Sequence, residues 1–208
     1  MEVAGAVMVT GEGSPMNAGA GPAPAPSRNL ELKVRCGESL LVAARTHLLA
    51  AGVPLARFAQ VDTYFAVASG RLKLREIRPE DGDPTAELIA YARPDVTGPR
   101  WSVYRTVPVL LAEAAGLKVA LAETVAVLTV VAKTREVGRR GRTRVHLDVV
   151  AGLGTFVELE MVVDMEEDGS AEAELAAMAA LVGIDPHGAD VVAGSYADLL
   201  LAAREAAG

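Results

Sequence analysis

"VELEMVV" (157–163) places Glu158 and Glu160 two residues apart in an otherwise apolar run. A β-strand turns alternate side chains to opposite faces, so the two carboxylates share one face and Val157, Leu159 and Met161 share the other. Taken alone, such a strand sits apolar side inward with its charges in water. The other strands of the chain reverse that assignment.

The same alternation recurs along the sequence. In "NLELKVRC" (29–36), Glu31, Lys33 and Arg35 oppose Leu30, Leu32 and Val34. In "GRLKLREI" (70–77), Arg71, Lys73 and Arg75 oppose Leu72 and Leu74. Glu87, Ile89, Tyr91 and Arg93 align in "AELIAYAR" (86–93), and Lys133 and Arg135 align in "TVAVLTVVAKTREV" (124–137). In "RTRVHLDVV" (142–150), Arg142, Arg144, His146 and Asp148 oppose Val145, Leu147 and Val149. With "RFAQVDTYFAV" (57–67) and "PRWSVYRTV" (99–107) this predicts about eight strands, joined mostly by short hairpins. Helices are predicted at 38–52, with a stop at Gly52, and at 170–183 and 195–207. A further helix is predicted at 108–123, opening on Pro108 and broken at Gly116.

Nearly every strand carries the charged face, and several helices need an apolar surface to cover. Closing the sheet with its apolar face outward supplies that surface and turns the charges into a lumen. The predicted fold is therefore α+β: an eight-stranded antiparallel β-barrel with a polar interior and helices packed outside. Unpaired charges there would be costly in a dry interior, so a wet tunnel with a compensating ligand is expected. Carboxylates gather on the first and last strands and bases on the middle ones. Arg and Lys together suit a polyanion. Clustered carboxylates suit Mg²⁺ or Mn²⁺, which prefer oxygen donors and bridge to phosphates. The combination points to a metal-bound oligophosphate.

Composition narrows the alternatives. The net charge of −7 argues against general nucleic-acid binding. No charge-free apolar run reaches the roughly 20 residues of a transmembrane helix. The N-terminus lacks a basic region before its apolar stretch, unlike a signal peptide. A single cysteine, Cys36, excludes an internal disulfide and fits a reducing, cytoplasmic setting. Residues 1–28 are Ala-, Gly- and Pro-rich without period and are expected to be a disordered tail, leaving 29–208 as the tunnel domain.

"NLELK", "QVDTYF", "GRLKLRE", "ELIAYARPDVTGPRWSVYR", "AKTR", "RVHLDVVAGLGTFVELE" and "SYADLL", in that order over 29–201, resemble the CYTH superfamily of triphosphate tunnel metalloenzymes, nearest its class IV adenylyl cyclases. The resemblance implies a metal-dependent enzyme that converts ATP to cyclic AMP and pyrophosphate. A triphosphatase in the same tunnel, acting on tripolyphosphate, thiamine triphosphate or a nucleotide, is the alternative. A non-catalytic polyphosphate-binding module and a biosynthetic enzyme on another phosphorylated substrate also stay open. The resemblance implies metal ligation by Glu31, Asp148, Glu158 and Glu160. It implies triphosphate binding by Lys33, Arg71, Lys73, Arg75, Arg93, Lys133, Arg135 and Arg144, with Glu31, Lys33 and Arg144 at the catalytic centre. Asn29 stands where the family has its first carboxylate, and Val149 and Ala151 replace acidic residues.

Around these, His146 is expected to be a hydrogen-bonded structural residue, with a general base as the alternative. Asp62 and Tyr64 are expected to orient the basic strand from behind. Trp101 and Tyr104 either line a nucleobase pocket or pack. Tyr196 either packs a terminal helix or caps one tunnel mouth. Helices outside such a barrel can pair in a homodimer; no nucleic-acid or membrane partner is expected.

Overall fold

The computed structural model describes residues 27–92, 99–163 and 170–207. It contains eight strands: β1 (Ser27–Cys36), β2 (Ala56–Phe65), β3 (Arg71–Pro79), β4 (Thr85–Ala92), β5 (Arg100–Val109), β6 (Val127–Arg140), β7 (Thr143–Val150) and β8 (Gly154–Val163). Four helices accompany them: α1 (Glu38–Ala50), α2 (Leu111–Val125), α3 (Ser170–Val182) and α4 (Tyr196–Glu205). The strands close an antiparallel barrel in the order β1-β5-β4-β3-β2-β6-β7-β8, sealed by pairing of β1 with β8. Among the described residues no helix is long and apolar enough to cross a membrane.

The inverted parity holds. Leu30, Leu32 and Val34 of β1, Val145 and Leu147 of β7, and Val157, Leu159 and Met161 of β8 are buried on the outside of the barrel. There they meet Leu41, Ala44 and Leu48 of α1 and Leu175, Met178 and Val182 of α3. Each such side chain removed from water contributes about 1.5–3 kcal/mol. The main hydrophobic core thus lies between sheet and helices, which leaves the lumen to polar residues. α2 covers Phe65, Leu74 and Ala86 in the same way through Ala114, Leu117 and Leu121. Leu159→Ala is therefore expected to cost about 2–5 kcal/mol in equilibrium denaturation, as for any buried leucine. A loss below about 1 kcal/mol would show that the helices do not form a core against the barrel.

Two glycines allow this packing. Gly52, at φ +73°, ends α1 in a conformation that side-chain-bearing residues avoid. A Cβ on Gly138 of β6 would sit 2.8 Å from Leu55 and from Val53, so the bare backbone admits the loop before β2. Two expectations about α2 are corrected. Pro108 belongs to β5 and the helix starts at Leu111. Among the described residues β1 pairs with β5 only up to Tyr104, so Pro108 has one neighbouring strand, an edge-like setting that proline tolerates. Gly116 does not break the helix. Its cost of about 1 kcal/mol is outweighed by the packing of α2 on the sheet.

Candidate active site

The inward side chains of the barrel enclose a cavity of about 460 Å³. Strand register arranges its charges. β1 against β8 sets Lys33 opposite Glu158 and Glu31 opposite Glu160. β7 against β8 sets His146 opposite Glu158 and Arg144 opposite Glu160. Alternation on each strand, combined with this pairing, collects residues distant in sequence into one charged wall.

The expected unpaired charges are instead joined in two networks. In the first, Glu158 receives Lys33 Nζ at 3.0 Å and Arg135 Nη2 at 2.7 Å. The same guanidinium forks onto Asp148, with Nε and Nη2 both 2.6 Å from its oxygens, and the Tyr196 hydroxyl donates to Asp148 Oδ2 at 2.7 Å. Burial alone would raise the Asp148 carboxyl, but Arg135 and Lys133 overcome it and hold the group below the usual carboxylate range. Burial would likewise raise Glu158, and Lys33, His146 and Arg135 bring it well down. His146 spans the two glutamates, Nδ1 at 3.3 Å from Glu158 and Nε2 at 3.7 Å from Glu160.

The second network centres on Asp62. Its carboxylate accepts from Gln60 at 3.0 Å, Lys73 at 3.0 Å and Arg75 at 2.9 Å. Asp62 thus fixes the basic strand from behind. Two lysines are left poorly solvated. Burial, reinforced by Arg75, lowers Lys73 to about 8. Burial, reinforced by Arg135, lowers Lys133 to about 7.

Lys33, Lys73, Arg75, Lys133, Arg135 and Arg144 line the cavity, together with Glu31, Glu158 and Glu160. Asp148 sits behind Arg135 and is fully buried. Arg71 turns to α4, with Nη2 2.9 Å from Asp198. Arg142 leaves the tunnel face altogether and pairs with Glu174 of α3 at 3.0 Å. It precedes β7, so strand parity does not apply to it. Arg93 lies outside the described residues, as does the side chain of Trp101. Tyrosines also contribute: Tyr64, Tyr91 and Tyr104 line the cavity, and Tyr104 donates to Glu160 at 2.8 Å. Ser102 donates to Glu31 at 2.7 Å. The alternation in β4 already aligns Tyr91 with Glu87, and of the two places expected for Tyr104 the structure puts it on the cavity wall.

α4 closes one end. Ser195 and Asp198 form a reciprocal cap that fixes the start of the helix. Tyr196 then enters the barrel, edge-on to Phe156 at 4.9 Å, with Lys33 at 4.1 Å and Lys133 at 4.9 Å from its ring centre. Both readings of Tyr196 hold at once: it packs the terminal helix and caps the lumen.

The donors fit a hard divalent cation. Asn29 is fully buried and its amide nitrogen donates to Glu160. Its Oδ1 has no hydrogen-bond partner among the described residues. An orphaned buried oxygen beside a carboxylate, with Glu31 and Glu158 on the same two strands, is an all-oxygen donor set. Among the described residues no three Asp, Glu, His or Cys side chains form a ready-made cage. Mg²⁺ commonly uses one or two carboxylates and completes its shell with water and substrate phosphate, so this sparse set suffices.

Residues 27–184 match the model of the CYTH domain. No curated protein matches the sequence. Among solved structures, a Pyrococcus horikoshii OT3 protein aligns at TM-score 0.67 and 18% identity, over 82% of this chain and 98% of its own. A candidate adenylate cyclase from Vibrio parahaemolyticus aligns at TM-score 0.58 and 17% identity, over 83% and 97%. A candidate adenylyl cyclase from Hippeastrum, described as having a dominant triphosphatase activity, aligns at TM-score 0.57 and 14% identity, over 85% and 96%. These likenesses establish the shared fold.

Proposed function

The chain belongs to the CYTH domain family, and from that membership we propose that it is a divalent-metal-dependent enzyme acting on a triphosphate. Cyclisation of ATP to cyclic AMP and pyrophosphate is the first reading. The observation that carries the proposal is the convergence of five cationic side chains, Lys33, Lys73, Arg75, Lys133 and Arg135, on one cavity that Glu158 and Glu160 also line.

Charge balance supports the metal requirement. The cavity is lined by six cationic side chains and five carboxylates, Glu31, Asp62, Glu87, Glu158 and Glu160, and Asp148 lies directly behind. The tunnel is thus close to neutral, whereas a triphosphate brings about four negative charges. Neutralising it needs cations beyond those of the protein. Asn29, Glu31, Glu158 and Glu160 would hold such an ion. When bound it would supply charge neutralisation and Lewis-acid polarisation of the phosphates. The protein's own part is positioning. Lys73 and Arg75, steadied by Asp62, and Lys133 and Arg135, steadied by Asp148, grip the phosphate chain in line. Lys33 and Arg144 face the reacting end beside the carboxylate wall. Asp148 is assigned the orientation of Arg135, since both its oxygens are engaged. In cyclisation the ribose 3′-oxygen bonds to the α-phosphorus, the bond to pyrophosphate breaks, and the hydroxyl proton departs. In the second reading a water attacks instead. It is favoured by the exposure of Arg144, whose side chain is 46% accessible at the open end, where water can enter.

Incubation with Mg²⁺ or Mn²⁺ and, separately, ATP, tripolyphosphate and thiamine triphosphate decides between them. Cyclic AMP with pyrophosphate supports the first reading, and orthophosphate alone the second. Absence of turnover and of metal-dependent thermal stabilisation by all three would overturn the site.

The lowered lysines make a further prediction. In the free protein Lys73 loses its proton as pH rises through about 8. A bound triphosphate favours the charged form, so binding near pH 8 takes up protons. Affinity should fall above pH 8 by up to about tenfold per pH unit for each lysine involved. Calorimetry in buffers of different ionisation enthalpy measures the uptake. Zero uptake between pH 7 and 9 would place the phosphates away from these lysines.

A further inference from the structure

The cavity lining is not all charged. Phe58 of β2, Ile77 of β3, Ile89 of β4 and Val137 of β6 give it an apolar wall, and Glu87 of β4 stands among them. Register sets Glu87 directly opposite Arg75, close enough across adjacent strands for an ion pair. Arg75 is committed elsewhere: its Nε lies 2.9 Å and its Nη2 3.2 Å from the oxygens of Asp62. Among the described residues no hydrogen bond or ion pair engages the Glu87 carboxylate. It is half-buried, in contrast to the exposed acids of the β3–β4 turn.

Each other carboxylate of the tunnel is satisfied within the protein, so Glu87 stands apart. A half-buried carboxylate without a protein partner is held by water, and a ligand that displaces that water must bring a donor of its own. A bare phosphate chain carries no such donor and would be repelled. A ring that packs on apolar side chains and presents an N–H meets both features of the recess.

We propose that Glu87 is a specificity-determining residue that accepts a hydrogen bond from an amine of the substrate's nitrogen heterocycle, while the ring packs against Phe58 and Ile77. This rests on the triphosphate reading above and narrows it to organic triphosphates with an amino-substituted ring, over inorganic tripolyphosphate. Discrimination then follows a pattern seen in other sites that hydrogen-bond their substrate: an analogue lacking the donor leaves the carboxylate buried and unpaired, and binds poorly.

The test compares ATP, purine riboside 5′-triphosphate (the same ring without the amine) and tripolyphosphate. Dissociation constants are measured by calorimetry on the full chain with Mg²⁺ at low temperature. Wild type is expected to favour ATP over the purine riboside analogue by roughly 10–100-fold, the value of a hydrogen bond to a charged group. Glu87→Ala should bring that ratio close to one, and Glu87→Gln, which retains an acceptor oxygen, should keep part of it. Thermal melts of both variants check folding, and Glu87→Gln carries the test if Glu87→Ala does not fold. A wild-type ratio near one, or the same ratio in the variants, overturns the role of Glu87. If tripolyphosphate still binds in that case, the triphosphate site itself stands. If none of the three ligands binds, both fall together.

Discussion

Glu160→Gln is expected to lower metal-supported triphosphate turnover by at least about 10²-fold while the protein stays folded, on the scale of losing one preorganised electrostatic contact. Glutamine keeps an oxygen to accept from Asn29 and from Tyr104, which now hold Glu160. Arg144, 3.5 Å away, is solvent-exposed enough to be hydrated without its partner. Stability should therefore change by less than about 1 kcal/mol. What is lost is a negative oxygen next to the orphaned Oδ1 of Asn29. Mn²⁺ binding, followed by electron paramagnetic resonance, should weaken in parallel. Turnover and Mn²⁺ affinity both equal to wild type would remove Glu160 from the metal site. Glu158→Gln is the harsher companion, because it also removes the charge that pairs with Lys33 at 3.0 Å and with Arg135 at 2.7 Å.

Arg135→Met is expected to act on stability first, by about 3–5 kcal/mol. Arg135 is 5% exposed, and its guanidinium neutralises Asp148 and Glu158 together. Methionine fills the volume but leaves Asp148, with no exposed surface, facing only Lys133 at 3.7 Å and the Tyr196 hydroxyl. Adding Asp148→Asn should recover part of the loss, because the second change removes the uncompensated charge. Urea denaturation of the two single variants and the double variant gives the coupling. Arg135→Met within about 1 kcal/mol of wild type would mean that water enters this end of the tunnel freely and that the network is not buried.

Much of the fold could be read from local pattern. Period-two alternation in eight segments, repeated charges on one side and several helices seeking apolar cover admitted few closed arrangements. The failures were at α2. Pro108 reads as a helix start in isolation, and only the local absence of a β1 neighbour makes it a strand residue. Gly116 reads as a break, and only packing against the sheet keeps the helix whole. Arg142 shared the spacing of the inward residues but lies before the strand begins.

The candidate site divides in the same way. Which side chains face inward was a local matter of strand parity, so Lys33, Lys73, Arg75, Lys133, Arg135, Glu158 and Glu160 could be named from the sequence. Which carboxylate meets which base was not, because an ion pair such as Arg135 with Asp148 or Lys33 with Glu158 depends on the register of neighbouring strands and on distances of a few ångström. Neither is encoded in spacing along one strand. The sequence by itself determined a barrel turned inside out, with charge within and hydrocarbon without, because alternation is a property of each strand alone. Only the tertiary structure decided that these charges neutralise one another in two networks and leave Glu87 without a partner, because pairing energy is set by three-dimensional proximity and by the loss of water around each group.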